Sequence, residues 1–272
     1  MKKKILITVL TYPTPSHKYI ETVCTAGITE EGEWIRIYPI KLRLLNEKIQ
    51  KYHWYVFDIE PRPRNKDNRK ESYFCISPPP GSIGNIGTEN SWAERRRLCL
   101  KNVFYNYQKL MEASDPKGKD FISLATFKPK ELIDFIAEPK DVKKDELLKE
   151  EILQNLRNQG ELMERQDIPQ YWKMSQSIPY TFYYEFTDDS DTVIRLMIED
   201  WELMMLYRNC RRDGEAIAIE KVKNTYLREF KKKELYFFLG TRREAHVRCW
   251  KKPYSIIGVF YPPKELQISF DL

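Results

Sequence analysis

The five cysteines of this 272-residue chain (Cys24, Cys75, Cys99, Cys210 and Cys249) never fall in a C-x-x-C pair. An odd number of widely spread thiols supports neither a disulfide framework nor a zinc ribbon, so reduced and mostly buried thiols are expected, with no metal site and no cofactor. Long hydrophobic runs are also missing: no stretch approaches 18 apolar residues. The start, MKKKILITVLTYPTP, has basic residues and a short apolar run but no small-residue cleavage site. Ile5 to Leu10 therefore reads as a first strand, and a cytoplasmic protein away from membranes is expected. Histidine is scarce, at three residues. The one in a suggestive setting, His246, has no serine, cysteine or aspartate motif beside it that would make it a general base.

What is present describes an ordinary soluble globule of one large or two small domains, with 42 % apolar and 32 % charged residues. The net charge of +6 hides a segmentation. Residues 1–110 carry 19 Lys and Arg against 11 Asp and Glu, and residues 203–272 carry 15 against 8, whereas residues 111–202 carry 12 against 21. Two basic ends flanking an acidic middle suggest a basic surface built from both ends, and an acidic segment that faces a protein partner or occludes that surface.

Residues 23–43, VCTAGITEEGEWIRIYPIKLR, combine a hairpin pattern with unusual surface groups. Val23 to Ala26 favours a strand, Gly27 to Gly32 supplies turn residues, and Trp34 to Tyr38 alternates before Pro39. Side chains alternate along a strand, so Ile35 and Ile37 face the core while Trp34, Arg36 and Tyr38 share the outer face, followed by Lys41 and Arg43. An aromatic, arginine, aromatic row with further cations suits a single-stranded nucleic acid, offering π surfaces for bases and charge for phosphates.

The segments KILITVLTYPTPSHKY, VCTAG and GEWIRIYP, over roughly the first 60 residues, resemble the N-terminal part of proteins with a dual OB-fold-containing domain. That resemblance implies an OB-like fold and nucleic-acid binding in prokaryotic defence or mobile-element systems, with no reaction attached. Two departures are visible. Ile37, Tyr38 and Pro39 stand where a Pro-Val-Ser-like sequence is expected, and Asp188 to Thr192 replaces a Cys, Cys and His cluster before the stretch Asp200, Trp201, Glu202.

Along the rest of the chain, Trp54 to Glu60 reads as a strand, and Lys41 to Tyr52 has the spacing of a short helix. PRPRNKDNRKES, with Arg62, Arg64, Lys66, Arg69 and Lys70, reads as a loop that cannot pack as core and could contact phosphates. Residues 76–91 read as a Pro/Gly linker. Arg95, Arg96 and Arg97 lie on the first turns of the next helix, where the dipole disfavours cations, so an anion bound there would explain them. Phe121 to Phe127 reads as a strand, Asp141 to Met163 as an amphipathic helix, and Pro179 to Met197 as a hairpin closed by an aspartate-rich turn. A helix IEDWELMMLYRNC follows, with Glu199 and Asp200 in its first turn where acids suit the dipole, and another from about Glu215 to Phe230. Leu235 to Gly240 and Ser255 to Tyr261 read as buried central strands. The connector between them places Arg242, Arg243, His246, Arg248 and Trp250 between rigid strands.

These readings combine into an α+β protein: an N-terminal OB-like small β-barrel over residues 1–75, a linker, and a mixed helical and β section over 92–272 with C-terminal buried strands that could complete a second barrel. The expected function is binding of nucleic acid, single strands or ends more than duplex. The expected contacts are Trp34, Arg36, Tyr38, Arg43, Arg62, Arg64, Arg242, Arg243, Arg248 and Trp250. Two rivals stay open. One is a metal-dependent nuclease or nucleotide hydrolase using Asp200, Glu202 and His246; the other is a non-catalytic subunit whose acidic segment meets a protein partner.

Overall fold

The computed structural model describes residues 1–18, 20–41, 49–63, 65, 67–77, 79–118, 121–160, 174–242 and 253–264. Its first half is a closed barrel. The strands are β1 (Lys2–Leu10), β2 (Thr14–Ser16), β3 (Ile20–Ile28), β4 (Trp34–Lys41), β5 (His53–Pro61), β6 (Ser72–Ser77) and β7 (Gly84–Asn85). The ring runs β1-β3-β4-β6-β5 and returns to β1, antiparallel everywhere except the β4–β6 pair. This is the small closed five-stranded barrel expected, with a Greek-key strand order compatible with an OB-like fold.

β-branched side chains fill it. Ile5, Ile7, Val23, Ile35, Ile37, Ile40, Tyr55, Phe57 and Ile59 form one buried cluster, so the alternation expected for Ile35 and Ile37 holds. Gly27 lies within β3 and not in the turn, which is confined to residues 29–33. A Cβ on Gly27 would run into the Leu6 carbonyl and the Ile5 side chain, so the close approach of β1 needs glycine there.

The expected linker is tied to this barrel. Gly84 and Asn85 pair with Trp54 and His53, Ile86 is buried, and α1 (Glu89–Cys99) follows. α1 sets Leu98 against Leu6, so β1 is buried on both faces, which accounts for its unbroken apolar run. The three arginines on α1 have internal partners, contrary to the anion site expected there. Arg95 stacks 3.8 Å over the Tyr52 ring, Arg96 meets Glu234 at 2.6 Å, and Arg97 pairs with Glu94 at 2.6 Å.

The second half holds β8 (Val103–Phe104), α2 (Tyr107–Ala113), β9 (Leu124–Phe127), β10 (Glu131–Pro139), α3 (Lys143–Gly160), β11 (Tyr180–Thr187) and β12 (Val193–Ile198). These are followed by α4 (Trp201–Cys210), α5 (Glu215–Lys223), β13 (Tyr236–Thr241) and β14 (Tyr254–Phe260). Its sheet runs β10-β11-β12-β14-β13-β9-β8, with β12 and β14 parallel. Only residues 128–130 separate β9 from β10, so the chain itself joins the β9 end of this path to its β10 end. Counting β9–β10 as one bent strand, the order repeats that of the first barrel: three strands in succession, then the fifth, then the fourth. β13 and β14 are buried along their whole length, as their apolar sequences require. Between β10 and β11, Lys143–Gly160 forms the expected helix, with Ile152 buried and Leu147, a leucine that an amphipathic helix is expected to bury, 64 % exposed. No described helix is long and apolar enough to cross a membrane.

The two halves share an apolar seam. Val9, Ala26, Ile28 and Tyr52 from the barrel half join Leu124, Tyr236, Phe238, Ile257 and Phe260 from the second sheet in one buried cluster. Trp34 packs against this cluster, edge-on to Phe238 with ring centroids 5.2 Å apart. The outer face of β4, expected to meet solvent, therefore meets the second half of the chain. Trp34 is thus partly buried by packing on another apolar sheet, where the expectation had it standing free on an outer face.

Candidate functional site

Beside the seam the two halves leave a cleft of about 920 Å³. Its lining follows from topology. The second and third strands of the first ring, β3 and β4, contribute Cys24, Ala26, Arg36 and Tyr38, and the equivalent β11 and β12 contribute Tyr183 and Met197. The connectors between first and second strands supply Thr11 to Pro15 on one side, and Lys140, Lys149 and Gln176 on the other. The connectors between fourth and fifth strands supply Arg62 and Arg69, and Arg242. In an OB-type barrel these are the face and the two loops on which oligonucleotides and oligosaccharides are held. Here both sets converge on one cavity.

The floor is a buried polar network that crosses between the halves. Arg36 is 6 % exposed, donating from Nη1 to Ser123 Oγ (2.8 Å) and from Nη2 to the Ser123 carbonyl (3.1 Å). Burial and the neighbouring Arg69 cation push the Arg36 pKa down to about 10, with the Glu71 carboxylate opposing, so the guanidinium stays charged at neutral pH. Arg69 grips Asp67 with Nε and Nη2, both at 2.7 Å, and donates from Nη1 to the Thr241 carbonyl at 2.7 Å. Glu71 accepts from the Ser123 N–H at 2.7 Å and from its hydroxyl at 3.1 Å. Asp67, Arg69 and Glu71 are thus core groups, contrary to the expectation that the charged run 61–72 cannot pack inside. Bidentate pairing and main-chain acceptors satisfy them. Sequence reasoning missed this trio; the Asp-x-Arg spacing is the only signal that could have found it.

The upper part of the cleft is wetter. Arg62 lies 5.6 Å over the Tyr38 ring, and Arg242 meets Glu199 at 3.0 Å with 44 % of its own side chain exposed. Lys140 pairs with Asp145 at 2.9 Å, and Lys149 is held by the Ser175 carbonyl and the Ser177 hydroxyl. Counted over the lining, six cations face two carboxylates, Asp145 and Glu199. Partly exposed cations beside phenol rings can neutralise phosphodiesters and stack bases at once.

Of the ten residues expected to contact nucleic acid, Arg36, Tyr38, Arg62 and Arg242 come together in this cleft, and Trp34 sits in the seam. Arg43, Arg64, Arg243, Arg248 and Trp250 lie outside the described residues, as does most of the helix expected at 41–52.

The candidate catalytic acids are placed elsewhere. Asp200 is fully buried and caps α4, accepting from the N–H groups of Glu202 (2.8 Å) and Leu203 (3.2 Å). Lys51 reaches Asp200 at 2.7 Å and Glu202 at 3.1 Å. Burial alone would lower the Lys51 pKa, but the two carboxylates outweigh it and hold the value above the ordinary range. The oxygens of Asp200 are engaged by a helix end and a buried ammonium, which is a structural role. His246 lies outside the described residues. In the acidic turn, Asp188 accepts from the N–H groups of Tyr107 (2.9 Å), Ser190 (3.0 Å) and Thr192 (3.1 Å), as turn chemistry requires. Among the described residues, no three His, Cys, Asp or Glu side chains gather where they could hold a metal ion.

Comparison with known families follows the same division as the fold. A model described as a domain of unknown function, DUF8758, matches residues 1–101, the first barrel with α1. No curated protein matches the chain. A second model, covering more than half of the chain at residues 106–272, matches as well, and the chain belongs to that family, described as a domain of unknown function, DUF8757.

Proposed function

We propose that the protein binds single-stranded nucleic acid in the cleft between its two halves. One observation carries the reading: the ligand-holding faces and loops of two OB-type strand orders converge on one cavity, and cations outnumber carboxylates there by six to two. OB grooves take oligonucleotides or oligosaccharides, and the charge excess favours the polyanion. Arg62 and Arg242 hold phosphates and Tyr38 offers a ring for stacking, while Arg36 and Arg69 fix the floor. A defence or mobile-element setting rests on the resemblance of the first 60 residues alone.

Fluorescence anisotropy with labelled oligothymidylate and oligouridylate tests this. Affinity should fall with salt by about 0.7 log units per log unit for each phosphate neutralised, and Arg62→Ala and Arg242→Ala should each weaken binding about 3- to 10-fold. Absence of binding at low salt, or a salt-independent affinity, would remove the proposal.

A further inference from the structure

An open OB groove lets a strand run through, but two grooves set face to face make a basin. Val9, Ala26 and Ile257 line the cleft and also belong to the apolar seam, so the cleft is blind on that side. Size sets the length of strand that fits. A nucleotide of about twenty non-hydrogen atoms fills roughly 300–400 Å³ at the packing density of a protein interior. The cleft of about 920 Å³ therefore holds two or three. Pairing sorts the six lining cations: Lys140, Lys149, Arg242 and Arg69 meet Asp145, Glu146, Glu199 and Asp67, and Arg36 is held in the buried floor, which leaves Arg62, stacked over Tyr38, at the rim for a phosphate.

We infer that the cleft takes the terminal two or three nucleotides of a single strand, or a free oligonucleotide of that length, and not an internal stretch. The inference rests on the nucleic-acid reading above and narrows its substrate class to strand ends. An internal segment would need to enter and leave by the open side, with both flanks competing for the same rim between Arg62 and Arg242. A terminal segment needs only one exit.

The experiment is a length series from one to ten nucleotides, joined by a linear 60-nucleotide single strand and its covalently closed circular form, each as competitor against a labelled decamer. Affinity should climb to the trinucleotide and then stay within about 3-fold up to ten. The linear 60-mer should compete at least 10-fold better than the circle. Arg62→Ala, a change at a partly exposed side chain, should weaken trinucleotide and decamer by the same factor. A trinucleotide that outcompetes the linear 60-mer identifies free short oligonucleotides as the source, and equal competition identifies strand ends; both support the inference. Steady gains beyond three nucleotides, or a circle that competes as well as the trinucleotide, would overturn it while leaving nucleic-acid binding intact. If no oligonucleotide or strand competes, the reading beneath it fails as well.

Discussion

Trp34 and Asp200 show how one side chain can be bound to the fold when its type suggests chemistry. The Trp34 indole lies against Phe238 at the seam, so Trp34→Ala should cost about 2–4 kcal/mol of stability, near the range for a truncated buried aromatic. Oligonucleotide affinity measured below the melting range should change less than 2-fold; a large loss of affinity at full stability would place the indole on the ligand. For Asp200, Asp200→Ala removes both the cap of α4 and the counter-charge of a Lys51 side chain that is 7 % exposed. Glu202 at 3.1 Å still faces that ammonium, so losing the cap and the nearer carboxylate should lower stability by about 2–4 kcal/mol, read as a drop in the urea midpoint. A variant that stays folded but loses an activity would identify Asp200 as more than a cap.

At the scale of elements, the connector 62–71 does what a strand or helix usually does. It spans the junction between the halves with Asp67, Arg69 and Glu71 inside the protein. Burial alone would raise the Asp67 pKa, but the hydrogen bonds and charge of Arg69 outweigh it and leave the value at about 2. Glu234 is likewise held at about 2, where Lys128, Tyr236 and Arg96 overcome its burial. A folded-state pKa below the unfolded one contributes stability at higher pH. Both contributions are complete above about pH 5 and are lost as pH falls from about 4.5 toward 2, at about 1–2 kcal/mol each. Thermal unfolding followed between pH 7 and pH 3 should therefore show a falling midpoint, and Asp67→Asn should flatten part of that slope while lowering stability at neutral pH. An unchanged slope in Asp67→Asn would show that the Arg69 pair is not what holds the connector.

At the scale of the whole molecule, the two strand orders form one body because an apolar seam and a buried polar network lie side by side between them. Disrupting the network without touching the seam separates these contributions. Arg36→Met keeps much of the side-chain volume but leaves Ser123 and Glu71 without their cation, and should cost about 2–4 kcal/mol and weaken oligonucleotide binding by reshaping the floor. Differential scanning calorimetry should still show a single transition if the seam alone keeps the halves coupled. Much of this architecture was legible locally. Alternation marked the β3–β4 hairpin and placed Ile35 and Ile37 inside, and unbroken apolar runs marked β13 and β14 as central. These signals are legible because backbone geometry couples neighbouring residues at periods of 2 and 3.6. What faces the outer side of β4 was not, since the partners of Arg36 are Ser123, 87 positions away, and Thr241, 205 positions away. The sequence by itself determined which residues form strands and which faces are apolar or charged. Only the tertiary structure decided that Arg36 and Arg69 are fixed in a floor while Arg62 and Arg242 stay at a rim, because burial of a charge depends on what distant chain segment arrives to satisfy it.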